Sequence, residues 1–297
     1  MNRPPSKGQS RSNRPGSSNR PTSTNARTTP SKATPSRSTP SGATSAPAKG
    51  PASSADTAPE PARAKAEPAA VITRGLCKRY GDADALAPLD LRIKDGQRIT
   101  LIGHNGSGKT TLLRMLTGML EPTEGSATVA GHPIASVEAR AAVSYLSDQP
   151  VFYDDLSVWE HLEYIARLHG TEDWEQQAVD VVDMVGLMPR VDDLPVTFSR
   201  GLKQKAAIAM AFVRPFDVML VDEPFVGLDQ VGREALLELF ALAHADGATL
   251  VVATHELSTV KLSDRLIALS SGQVTYDGTP ESADVVMLSE GVHPDDT

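Results

Sequence analysis

Residues 103–110 read Gly-His-Asn-Gly-Ser-Gly-Lys-Thr, a spacing of glycines, lysine and threonine that is typical of a polyphosphate-binding loop. The glycines let consecutive backbone N–H groups turn inward around phosphate oxygens, and Lys109 can reach the β- and γ-phosphates. Thr110 can give its hydroxyl to Mg²⁺. The predicted phosphate-binding residues are Gly103, His104, Asn105, Gly106, Ser107, Gly108, Lys109, Thr110 and Thr111.

The elements on both sides of this loop are the ones needed to position it. Residues 98–102 form a short β-branched run that predicts a buried strand, and residues 109–117 predict a helix that Gly118 ends. The N-terminus of that helix adds a partial positive charge. A Gly-rich turn without function is the plainer interpretation, but the strand before and the helix after favour phosphate binding.

Two further apolar runs end in residues that could act on the same phosphates. Residues 218–221 precede Asp222 and Glu223, and residues 249–253 precede Thr254 and His255. Continuous apolar runs are typical of strands covered on both faces, and ligands of open parallel sheets bind beyond the carboxyl ends of the strands. We therefore expect three strand ends to converge on one site.

Transfer of a phosphoryl group to water needs charge neutralisation and an aligned nucleophile. Asp222 can hold Mg²⁺ directly or through water, so Thr110 and Asp222 are the candidate metal ligands. Glu223 can orient or deprotonate the attacking water, and His255 can hydrogen-bond the γ-phosphate, which makes them the catalytic candidates. The plainer alternatives are a solvated strand end for the two acids and a structural role for His255.

The composition divides the chain into two opposite parts. Residues 1–70 hold 12 of the 22 prolines and no aromatic residue, with 11 Lys or Arg against 3 Asp or Glu, a balance of +8. Residues 71–297 carry 18 against 34, a balance of −16. We predict a disordered basic tail over 1–70, one α/β domain over 71–285, and a short acidic tail over 286–297.

The basic tail over residues 1–70 is compatible with several functions. It could be a solvated segment without a specific function, or its cations could contact anionic lipid; nucleic acid would attract the same charges. The single cysteine, Cys77, excludes an internal disulfide and suits a reducing compartment. Neither a membrane span nor an export signal is evident, so we expect a soluble protein that is not exported.

The residues from Ser157 to about Met188 have a helical pattern that interrupts the alternation of strands and helices. Apolar residues recur there with a 4-3-4 or 4-3 spacing, which predicts two amphipathic helices in a small helical subdomain at about 150–205. Nearer the start of the domain, Tyr80 precedes the phosphate loop and could stack on a purine ring.

The stretch 198–205, Phe-Ser-Arg-Gly-Leu-Lys-Gln-Lys, resembles the signature motif of ATP-binding cassette (ABC) ATPases, whose usual form is Leu-Ser-Gly-Gly-Gln. The resemblance covers residues 71–285. It implies a P-loop NTPase fold of the α/β class, a mostly parallel sheet with flanking helices, together with an antiparallel β subdomain and an inserted helical subdomain. ATP and Mg²⁺ are the implied cofactors, and ATP hydrolysis is the implied activity.

Residue by residue, the resemblance gives Tyr80 an adenine-stacking role and matches 103–110 to the phosphate loop. It makes Asp222 the Mg²⁺-site aspartate, Glu223 the catalytic glutamate and His255 the switch histidine, and residues 227–229 resemble the loop that couples two cassettes. Ser199 and Gly201 would touch the γ-phosphate of ATP bound to the opposite subunit, consistent with Ser199 as an N-cap. One chain would then not complete a site.

The sequence departs from the family pattern in two places. Arg200 and Leu202 replace common signature residues, although Gly201 is kept. The family usually places a Mg²⁺-sensing glutamine after the strand at 143–146, and here the position aligns with Asp148, whereas Gln149 comes one residue late. A carboxylate can also bind a hydrated metal, so both residues remain candidates.

The resulting prediction is an ATP-hydrolysing subunit at the cytoplasmic face of the cell membrane. It would dimerise on ATP, as a homodimer or a paired cassette, and drive a permease on a separate chain; the form of the signature favours export. An alternative is a soluble ABC ATPase acting on the ribosome or nucleic acid, which the −16 balance disfavours. A cassette that binds ATP without turnover is a third possibility, against which Lys109, Asp222, Glu223 and His255 argue.

Overall fold

The computed structural model describes residues 68–290. The predictions of a basic tail with a lipid contact and of the end of an acidic tail concern residues outside this range. Within it, the strands in chain order are β1 (Ala69–Tyr80), β2 (Ala83–Lys94), β3 (Arg98–Ile102), β4 (Glu124–Val129), β5 (His132–Pro133), β6 (Val143–Leu146), β7 (Val218–Asp222), β8 (Thr249–Ala253), β9 (Arg265–Ser270) and β10 (Gln273–Gly278).

The helices lie between groups of these strands and after the last one. In chain order they are α1 (Lys109–Leu116), α2 (Val137–Ala142), α3 (Val158–His169), α4 (Trp174–Met184), α5 (Arg200–Phe212), α6 (Gln230–Ala245), α7 (Leu257–Val260) and α8 (Val285–Glu290), with 3₁₀ turns at Met188–Arg190, Pro195–Thr197 and Pro280–Ser282. Within residues 68–290, every helix is too short or too polar to cross a membrane.

The larger sheet has six strands in the order β10-β9-β3-β8-β7-β6. All neighbours in it run parallel except β10, which pairs antiparallel with β9. Ala253 at the end of β8 pairs with Leu101 of β3 on one side and with Asp222 of β7 on the other. The expected convergence of three strand ends is therefore confirmed.

A second, antiparallel sheet of order β2-β1-β4-β5 packs against the first. The apolar face of α1 lies in the core between them, because Leu112, Leu113, Met115 and Leu116 are all buried there. Burying four such side chains anchors the helix whose first turn carries the phosphate loop. The predicted α/β class with an antiparallel β part is confirmed.

Helices α3, α4, α5 and α6 pack with side chains of β6, β7 and β8 in a second core, on the opposite face of the larger sheet from α1. Ser157 begins α3 with a capping box, in which its hydroxyl accepts from the Glu160 N–H and the Glu160 carboxylate accepts from the Ser157 N–H. Gly170 ends that helix in the left-handed conformation. The two predicted amphipathic helices are present, whereas β9 and β10 had not been anticipated.

Candidate functional site

The phosphate loop requires glycine where the backbone is crowded. Gly103 has φ +144°, and a Cβ added there would clash with the Leu269 carbonyl oxygen of β9. Gly108 has φ +107°, and its added Cβ would lie 2.8 Å from the Ala85 carbonyl oxygen. The loop is thus wedged between β9 and β2, and any side chain at either glycine would displace it.

Lys109, the first residue of α1, lies inside the curve of the loop. Its ammonium donates to the Gly103 carbonyl at 2.6 Å and to the His104 carbonyl at 3.3 Å. Burial lowers the pKa of Lys109, and the nearby Glu223 and Asp222 oppose that shift. The loop therefore presents a largely desolvated cation where the sequence predicted it.

Asp222 at the end of β7 is 1% exposed. Neither of its carboxylate oxygens makes a regular hydrogen bond among the described residues. Burial raises the pKa of Asp222, while the Thr110 hydroxyl and the Lys109 ammonium act in the opposite direction. A buried carboxylate that makes no regular hydrogen bond, close to a hydroxyl, is an all-oxygen donor set of the kind Mg²⁺ prefers, so Asp222 and Thr110 fit the predicted metal.

Glu223 and His255 form a pair across β7 and β8. His255 Nδ1 lies 2.8 Å from Glu223 Oε2. Glu223 has φ +45°, a conformation that is strained for a residue with a side chain, and its N–H donates to the Ala253 carbonyl at 2.9 Å. The strained backbone turns the glutamate towards the histidine at the edge where β3, β7 and β8 end.

Asp148 and Gln149, which follow β6, differ in burial and in their effect on Asp222. Asp148 is partly buried, accepts from the Ser147 hydroxyl at 3.3 Å, and contributes to raising the pKa of Asp222. Gln149 is exposed, and its N–H donates to the same hydroxyl at 3.2 Å. Of the two candidates, Asp148 is the one whose charge acts on Asp222, since Gln149 is neutral.

The remaining predicted residues occupy other elements. Tyr80 ends β1 and is 57% exposed. Ser199 is the N-cap of α5 and accepts from the Leu202 N–H at 3.4 Å. Gly201 lies so close to Gly227 that a Cβ would clash with the Gly227 carbonyl oxygen. Among the described residues, no hydrogen bond joins Ser199 or Gly201 to the phosphate loop.

Sequence reasoning missed several supporting contacts. The Gln204 side-chain amide donates to the Pro224 carbonyl at 3.1 Å, and the Lys205 ammonium lies 2.9 Å from Asp229 Oδ2. In the turn between β9 and β10, the Gly272 N–H donates to the Ser107 carbonyl at 3.0 Å. The Ser-Ser-Gly sequence at 270–272 could have indicated that turn, but nothing local indicates its contact with the phosphate loop.

A Gly-rich loop between a parallel strand and a helix, with an acidic strand end beside it, defines a P-loop nucleotide hydrolase. The family model described as ABC transporter matches residues 86–226. A Halobacterium salinarum protein named as an ABC transporter ATP-binding protein is 34% identical over 227 residues, covering 74% of this chain and 98% of that protein. The chain therefore belongs to the family of ABC transporter ATP-binding proteins.

Solved structures agree with this assignment. The chain is similar to an ATP-binding subunit of an ABC transporter, with a TM-score of 0.69, 29% identity and coverage of 76% of this chain and 96% of that one. It is also similar to a dimeric ATP-binding cassette in a post-hydrolysis state with ADP and Pi, with a TM-score of 0.63, 26% identity and coverage of 71% and 98%. The protein is thus an ATP-binding and ATP-hydrolysing cassette.

Proposed function

We propose that this chain is the motor subunit of an ABC transporter, that it closes on ATP as a dimer, and that it drives a permease on a separate polypeptide. One observation carries the proposal. The phosphate loop, Asp222, Glu223 and His255 share one sheet edge, whereas Ser199 stands exposed at the N-terminus of another helix. A second copy can supply that helix N-terminus to the γ-phosphate.

Different residues of the chain bind the different parts of Mg·ATP. Lys109 and the loop N–H groups hold the β- and γ-phosphates, and Tyr80 stacks on adenine. Thr110 and Asp222 hold Mg²⁺, with Asp148 beside them. The ion supplies charge neutralisation for the leaving phosphates when it is bound.

Hydrolysis then needs a water positioned opposite the leaving group. Glu223 orients this water and takes its proton as the water oxygen attacks the γ-phosphorus, while the bond from that phosphorus to the bridging oxygen of ADP breaks. His255, 2.8 Å from Glu223, holds the carboxylate and can donate to a γ-phosphate oxygen. Strain at Glu223 is consistent with such a role, since strained backbone clusters at active sites.

Transport follows from the difference between the closed and open dimers. ATP favours the closed state, hydrolysis favours separation, and a permease that contacts both states differently is driven between its own two states. A permease partner places the chain at the cytoplasmic face of a membrane. The Ser-x-Gly-Leu-Lys-Gln-Lys form of the signature supports export as the direction.

ATP-dependent dimerisation tests the proposal. Glu223→Gln keeps the binding residues but removes the base, so we expect it to dimerise with Mg·ATP and to remain a monomer without it, as measured by light scattering after size exclusion. In that background, Ser199→Asp keeps a good N-cap but sets a negative charge against the partner's γ-phosphate, and it should abolish the dimer. Ser199→Asn, a cap without charge, is the matched control. A Glu223→Gln protein that stays monomeric would contradict the proposal.

A further inference from the structure

Tyr80 is exposed at the end of β1, yet its ring has a cation beside it. The Lys78 ammonium lies 5.2 Å from the centre of the Tyr80 ring, within the range of a cation–π interaction. Lys78 and Tyr80 are two residues apart on β1, and this contact puts their side chains on the same side of the strand although the pairing with β2 is irregular there. Among the described residues, the contact with Lys78 is the side-chain interaction of Tyr80, whose hydroxyl makes no hydrogen bond.

The ammonium of Lys78 also has a hydrogen-bond partner that restrains its position. Lys78 Nζ donates to the Glu121 carbonyl at 2.8 Å. Glu121 lies in the loop that follows α1, so the cation is tied to the chain leaving the phosphate-loop helix. Two further hydrogen bonds join the same segments: the Thr123 N–H donates to the Cys77 carbonyl at 2.9 Å, and the Arg79 N–H donates to the Thr123 hydroxyl at 3.0 Å.

A fixed cation changes what an exposed ring can do. An unrestrained tyrosine loses rotational freedom when a ligand stacks on it, and that loss weakens binding. A cation held against one face limits the ring's orientations before the ligand arrives, and it leaves the other face open. The cation also draws electron density from the ring, which favours stacking with an electron-rich purine.

We infer that Lys78 is a positioning residue for the nucleobase: anchored on Glu121, it holds the Tyr80 ring with one face free for adenine. This inference rests on the proposed stacking role of Tyr80. The opposite arrangement, in which Lys78 occupies the face that adenine needs, predicts a change of the opposite sign when the cation is removed.

The test is ATP binding by calorimetry without Mg²⁺, so that no turnover occurs. Lys78→Met keeps the side-chain length but removes the charge, and we expect the Kd for ATP to rise about two- to five-fold. The Kd for inorganic tripolyphosphate should not change, because that ligand has no base to stack. Lys78→Arg should retain ATP affinity, and Lys261→Met, at an exposed lysine after α7, is the matched control.

A double-mutant cycle separates the inference from the role of Tyr80. Tyr80→Ala should weaken ATP binding, and adding Lys78→Met to it should have no further effect. If Tyr80→Ala leaves the ATP affinity unchanged, the stacking role fails and the inference fails with it. Two outcomes would overturn only the inference about Lys78, given that Tyr80→Ala weakens ATP binding. In the first, Lys78→Met binds ATP as tightly as wild type or more tightly. In the second, Lys78→Met weakens the binding of ATP and of tripolyphosphate equally.

Discussion

At the scale of single residues, Asp222 bears a charge for which the free protein provides little compensation. It is buried at the end of β7 without a regular hydrogen bond among the described residues, and its pKa is raised by that burial. Burial raises the pKa of Asp222, and the nearby charges of Asp148 and Glu223 raise it further, against the opposing effects of the Thr110 hydroxyl and Lys109. Such an arrangement favours binding of a cation over the stability of the free protein.

We therefore expect Asp222→Asn to stabilise the metal-free protein while abolishing hydrolysis. The gain should be about 1–2 kcal/mol at neutral pH, measured by urea unfolding. A carboxyl whose folded-state pKa is raised loses stability as pH rises through that pKa, so the difference between the two proteins should shrink as pH falls. Asp154→Asn, at an exposed carboxylate, is the control. An Asp222→Asn protein less stable than wild type would contradict this account.

At the scale of elements, α5 is fastened to the loop between β7 and α6. Gly201 packs on Gly227, the Gln204 amide donates to Pro224, and Lys205 pairs with Asp229, the N-cap of α6. These contacts connect α5 to the loop that follows Glu223. In the proposed dimer, α5 of one copy would contact the nucleotide bound by the other, so the two sites would be linked through this loop. Lys205 and Asp229 differ in burial, because the Lys205 side chain is 8% exposed and the Asp229 side chain is 62% exposed.

This difference in burial predicts that replacing Lys205 and replacing Asp229 lower the free energy of unfolding by different amounts. Asp229→Asn keeps the N-cap but leaves the buried Lys205 ammonium without its carboxylate, and should lower the free energy of unfolding by about 1–3 kcal/mol. Lys205→Met leaves an exposed carboxylate that water can solvate, and should cost less than about 1 kcal/mol. The double variant should be more stable than Asp229→Asn alone. Equal costs for the two single variants in denaturant unfolding would refute this reasoning.

At the scale of the whole molecule, the helical part exposes an apolar surface near the end of β6. Its exposed side chains are Val151, Tyr153, Tyr164 and Leu168. Buried His161 supports it, since its Nε2 accepts from the Tyr153 N–H at 2.9 Å and the rings of Tyr153 and Tyr164 pack edge to face. We propose that these exposed aromatic and aliphatic side chains, in the segment that follows Asp148 and on α3, form the surface that contacts the permease.

Replacing Tyr153 and Tyr164 together by serine should therefore weaken association with the permease about ten-fold or more, while ATP-dependent dimerisation of the Glu223→Gln protein is retained. The measurement is co-purification of the permease from detergent-solubilised membranes, compared with Val137→Ser, which removes another exposed apolar side chain. Unchanged recovery of the permease would place the docking surface elsewhere.

Several features of this protein follow from local sequence alone. Three motifs are each encoded within about ten residues: the phosphate loop, the apolar strands that precede Asp222 and His255, and the signature with its capping serine. Local sequence suffices for them because turns, strand burial and helix caps have short-range requirements. The convergence of the strand ends could also be predicted, since parallel strands present their carboxyl ends at one edge.

Tertiary structure alone decided the contacts between residues distant in sequence. It set Gly103 against Leu269 of β9, brought Asp148 within 3.9 Å of Arg114 on α1, and paired Lys205 with Asp229. No periodicity or turn preference encodes such pairs, because each depends on how whole elements pack and on distances of a few tenths of an ångström. Local patterns thus specified which groups the site contains, and packing specified how they face one another.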